Sequence, residues 1–134
     1  MAFQEMLRLV TAQEAIDAKQ NEVMRLAMLF TTQSLASGEM SPADPELGAA
    51  AARGEATALA VLRGTAADSP EALARQAAEY EGTPVADALR GRAATVAALR
   101  SRAAEFAAFM RRLASLHARA VSVAASASVA AAGA

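Results

Sequence analysis

The stretch PVADALRGRAATVAALRSRAAEFAAFMRRLASLHAR, residues 84–119, decides the fold. Within it Val85, Leu89, Val96, Leu99, Ala103, Phe106, Met110, Leu113 and His117 are spaced by threes, fours and one seven. At 100° per residue they gather on a half-cylinder with Phe109 and Leu116 at its edge, the stripe of an amphipathic helix. Arg90, Arg100, Arg111, Arg112 and Arg119 fall together on the opposite arc, whereas Arg92 and Arg102 lie on or beside the apolar side. Thr83-Pro84 opens the helix, a capping hydroxyl followed by a proline whose missing N–H is harmless in the first turn.

The same opening occurs twice upstream. Asp44-Pro45-Glu46 follows the break GEMSPAD and starts a helix that runs to about Arg63, with Gly64 as its stop. Leu47, Ala51, Gly54, Ala58 and Val61 or Leu62 share one face of it, and the small residues among them imply close backbone contact. Ser69-Pro70-Glu71 starts a short helix with Leu73, Ala77 and Tyr80 on one stripe, and Gly82 ends it. The first segment runs from about Phe3 to Ser37, stopping at Gly38. Leu9, Ile16, Val23 and Phe30 recur there every seven residues, beside Met6, Gln13, Gln20, Ala27 and Ser34. The seam so formed is apolar at both ends and polar in the middle, and its two glutamines are suited to fixing register across a helix pair.

The expected fold is therefore all-α: an elongated bundle or hairpin with two long and two short helices, over about 3–37, 45–63, 70–81 and 84–126. Residues 1–126 form one domain in this reading. Beyond Leu116 the apolar stripe fades into AVSVAASASVAAAGA, where only small residues remain, and residues 127–134 are expected to be a frayed or interface tail.

Composition explains why such a chain seeks company. Of 134 residues 54% are hydrophobic, but forty of these are alanine, which forms helix readily and packs thinly. Completion of the core by self-association or by a partner is expected. Charge is unevenly placed: residues 1–83 sum to −6 and residues 84–134 to +5. The two halves, or two copies, are thus electrostatically matched. No cysteine is present, which removes disulfides, thiolate nucleophiles and cysteine-based zinc sites and fits a cytoplasmic setting. The N-terminal residues lack the pattern of a secretory signal, and the longest uncharged run falls short of a membrane span.

Chemistry-bearing motifs are missing. The chain has no phosphate loop, nucleophile elbow, dinucleotide fingerprint or pair of histidines one turn apart. His117, the single histidine, reads as a partly buried residue hydrogen-bonded to a neighbouring helix. No cofactor and no metal is expected, and the chain reads as a non-enzymatic helical interaction protein: a structural subunit, adaptor, or small assembly or export chaperone. Its interface residues are expected among Val23, Met24, Leu26, Met28, Leu29 and Phe30 of the first helix and Leu99, Phe106, Met110 and Leu113 of the last. The alternative is an anion-binding module using Arg90, Arg100, Arg111, Arg112 and Arg119 on nucleic acid or anionic lipid. Against nucleic acid stand the missing aromatic and amide base readers on that face and the net charge of −1.

Overall fold

A computed structural model describes residues 2–133, folded into four helices: α1 (Ala2–Ser37), α2 (Pro45–Gly64), α3 (Pro70–Glu79) and α4 (Pro84–Gly133). Caps set two of the three proline starts. The Asp44 carboxylate accepts from the Glu46 backbone N–H at 3.0 Å, and the Ser69 hydroxyl accepts from that of Ala72 at 3.2 Å. Thr83 does otherwise: its hydroxyl donates back to the Tyr80 carbonyl at 2.6 Å, closing the turn before α4 rather than capping it. Gly38 and Gly82 stop α1 and follow α3 with φ of +80° and +83°, which glycine adopts without a side-chain clash.

α4 is the spine. The backbones of α1, α2 and α3 each approach α4 and, among the described residues, none of the three packs closely on another. Residue pairs fix the directions. Glu14 meets Thr95 and Asn21 meets Arg102, so α1 runs parallel to α4. Gly48 lies against His117, Gly54 against Met110 and Leu62 against Arg100, so α2 runs antiparallel to α4. α3 continues that descent along the start of α4. The two long helices are thus not a hairpin. The chain goes up along α1, down along α2 and α3 in tandem, and up again along α4, and this odd number of passes makes the long helices parallel.

Two apolar clusters sit on α4, one for each half of the broken descent. Leu99, Ala103, Phe106, Met110 and Leu113 pack with Leu47, Ala51, Ala58 and Val61 of α2 and with Met24 of α1. Val85, Leu89 and Val96 pack with Leu73 and Ala77 of α3. Close approach of α2 depends on glycine at two positions: a β-carbon at Gly48 would stand 2.6 Å from the His117 ring, and one at Gly54 would stand 2.7 Å from the Met110 sulfur. His117 Nδ1 lies 3.0 Å from the Pro42 carbonyl, so its hydrogen bond ties α4 to the α1–α2 loop rather than to the expected neighbouring helix.

Two features depart from the sequence reading. The face α1 presents to α4 is polar over 14–21, burying Asp17 and half-burying Glu14 and Asn21, and mostly apolar from Met24 on, while Leu9, Ile16, Val23 and Phe30 stay 58–65% exposed. The reason lies in α4, whose facing residues include Arg92, Thr95 and Arg102 and require polar partners. The second departure is at the end of the chain, where α4 continues past Ser126 to Gly133, as alanine's high helix propensity allows. Met6 of the α1 seam and residues 130–134 of the tail lie outside the described side chains.

Candidate functional site

Between α1 and α2, with α4 as floor, lies a cleft of about 490 Å³ at the level where the descending track breaks. Gln13, Asp17 and Gln20 line it from α1, Thr57, Val61 and Thr65 from the end of α2, and Arg92 and Leu99 from α4. Its depth is occupied by charge. Arg92 and Asp17, each 4% exposed, form a buried ion pair, and Gln13 Nε2 donates to the other Asp17 oxygen at 3.3 Å. Asp68 stands at the mouth, 3.9 Å from Arg92 Nη2. Burial pushes the Arg92 pKa down, and the Glu14 carboxylate opposes that shift. Arginine stays charged regardless, so the pair persists as an ion pair.

A guanidinium paired with a carboxylate, two amides and two hydroxyls can hold helices in register. His117 lies 25 residues along α4 from Arg92, about 37 Å at the ~1.5 Å rise of a helix. Among the described residues no group of three or more histidine, cysteine, aspartate or glutamate side chains is arranged to hold a metal ion. No helix among them is long and apolar enough to cross a membrane.

The arginine arc of α4 is divided by its contacts. Arg90 pairs with Glu81, and the bond holds that carboxyl below the usual carboxylate range. Arg100 points its Nη1 at the Leu62 carbonyl, 3.0 Å, and at the Thr65 hydroxyl, 2.9 Å. It thereby caps the C-terminus of α2, where unpaired carbonyls and the helix dipole favour a cation. Arg111, Arg112 and Arg119 remain exposed, with the Arg112 guanidinium 6.0 Å from the centre of the Phe109 ring. Arg102, beside the apolar stripe, bonds Asn21 at 3.3 Å and Glu105 at 2.9 Å.

The expected interface residues also separate into two groups. Met24, Leu99, Phe106, Met110 and Leu113 are buried inside the chain's own core, and Met28 is half-buried against it. Val23, Leu26, Leu29 and Phe30 are exposed, as are Ile16 and Leu9, one and two heptads before Val23. These six occupy the side of α1 turned away from α4. The sequence carried a signal for all six in the seven-residue spacing and its flanks, but their outward direction follows from the pairing of α1 with α4. Compared with known proteins, the chain matches no family model, no curated protein and no solved structure.

Proposed function

We propose that this small all-helical chain is a non-enzymatic interaction protein that works by joining its outer α1 face to another helix, as a subunit, adaptor or assembly chaperone. The observation that carries this reading is the row Leu9, Ile16, Val23 and Phe30, four large apolar side chains at heptad spacing and more than half exposed. Scattered surface leucines are ordinary, but large apolar side chains aligned at a regular period mark an interaction surface. A strict seven-residue period favours another helix, because supercoiling keeps such a row in contact along its length.

The non-enzymatic part of the proposal agrees with the absence, among the described residues, of a side-chain group arranged to hold a metal ion. Affinity capture from native extract with cross-linking, joined to sedimentation of the purified chain, tests it. The expected result is a specific cross-link through residues 9–30. A chain that stays monomeric, unfolds cooperatively and retains no partner removes the proposal.

A further inference from the structure

We infer that the N-terminal half of α1, residues 2–20, is a releasable strap, latched to α4 by the Asp17–Arg92 pair and able to lift away while the rest of the chain stays folded. The strap supplies Gln13, Asp17 and Gln20, the α1 wall of the cleft, so its release opens that cleft and bares the Arg92 guanidinium. The device is independent of what the outer α1 face binds.

α1 is held to α4 in two different ways. Met24 lies in the core shared with α2 and α4, and Ala27, Met28 and Leu35 pack against it. From Thr11 to Val23, by contrast, no apolar side chain is buried or half-buried: Ala12, Ala15, Ile16, Ala18 and Val23 are all exposed. Polar contacts alone hold that stretch. They are the buried ion pair at Asp17, the Thr95 hydroxyl donating to Glu14 at 3.1 Å, and Arg102 donating to Asn21 at 3.3 Å. Local stability follows buried apolar contact, so the two halves of one helix differ in how readily they open. An ion pair compensates poorly for missing apolar burial, because both ions regain their hydration when it parts. Among the described residues neither α2 nor α3 packs closely on α1, so the strap lifts without dislodging them. Leu73 and Ala77 of α3 stay on Val85, Leu89 and Val96.

The sequence also carries a second helix start where the strap ends. With residues up to Gln20 unwound, Asn21 stands at the N-cap, where asparagine is favoured. Glu22 then falls in the first turn, where a carboxylate complements the helix dipole. It already accepts from Arg25 at 2.6 Å, a pair lying wholly beyond the strap. The shortened α1 therefore keeps both a cap and its apolar anchor. The freed segment loses the tertiary packing that supplies most helical stability, and it unwinds.

Amide hydrogen exchange of the intact chain tests the strap. Amides of residues 11–20 should be at least about tenfold less protected than those of 26–36. Asp17→Asn should lower protection of 11–20 by the same factor as that of 26–36, because lifting the strap and unfolding the whole chain both break the latch. Leu47→Ala, in the α2 core, should lower protection of 26–36 at least about tenfold and leave that of 11–20 unchanged, because lifting the strap does not touch Leu47. Trypsin should cut the parent chain after Arg8 and Lys19 before it cuts after Arg25, although all three side chains are exposed. Equal protection of the two segments overturns the inference. So does protection of 11–20 that ignores Asp17→Asn, which would mean fraying with the pair intact, or that falls with Leu47→Ala as far as 26–36 does. Cleavage after Arg25 first also overturns it.

Discussion

Replacing Arg92 by methionine tests the architecture at its most exacting point. The change removes the charge and roughly keeps the volume, leaving the Asp17 carboxylate 4% exposed without its cation. Removing one partner of a buried ion pair costs about 3–5 kcal/mol. The Gln13 hydrogen bond and water entering the cleft both favour the lower end, so the working figure is about 3 kcal/mol. At ~2.1 cal/mol/K per residue, 134 residues give an unfolding entropy of about 0.28 kcal/mol/K, so the loss lowers Tm by about 11 °C. Asp17→Leu/Arg92→Met should recover most of this, because an apolar pair of similar volume replaces a buried ion pair without loss. Urea unfolding followed by circular dichroism, at one fixed protein concentration so that association does not shift the midpoint, measures all four corners of the cycle. The reasoning is refuted if Arg92→Met stays within about 0.5 kcal/mol of the parent, or if the two single losses simply add in the double variant.

The glycines of α2 should respond unequally to alanine. Gly48→Ala meets the rigid His117 ring, and its gain of ~1 kcal/mol in helix propensity is outweighed by an overpacking cost of about 1–3 kcal/mol. Gly54→Ala meets the flexible Met110 thioether and should be close to neutral, so urea midpoints will rank the two. Stability should fall at the acid end. Glu22 and Glu81 have carboxyl pKa values lowered by hydrogen bonds from Arg25 and Arg90, so they stabilise the fold above the ordinary carboxylate range and lose that contribution as pH falls through their folded values. Thermal melts of Glu81→Gln across pH should show a shallower acid limb than the parent. Duplex DNA should bind weakly at most, with a logarithmic salt slope no steeper than about −2.7, since of the exposed arginines of the arc Arg90 is paired with Glu81 and three remain; a steeper slope in a salt titration would refute that count.

Local signals were legible in this chain where the cause was local. Asp44-Pro45 and Ser69-Pro70 start helices because a side-chain oxygen and a fixed φ act within four residues. The α4 stripe was equally plain, since Leu99, Phe106, Met110 and Leu113 are buried where their spacing puts them. Arg92 and Arg102 stood out as charges on an apolar side, and both find partners on α1. Thr83 shows the limit of motif reading: the same residue pattern serves a tight turn when the hydroxyl lies only three residues beyond a carbonyl at the end of α3.

The direction in which α1 faces had no local cause. Its sequence offers two stripes, one apolar at seven-residue spacing and one with Glu14, Asp17 and Asn21, and amphipathic periodicity alone favours burying the first. What decides is α4, which brings a guanidinium at Arg92 and another at Arg102 to the α1 side, and a buried guanidinium without an acceptor costs more than an exposed leucine. Pairing α1 by its polar side satisfies both arginines in one register and leaves the heptad row outside. The free row and the buried ion pair are therefore two consequences of one choice.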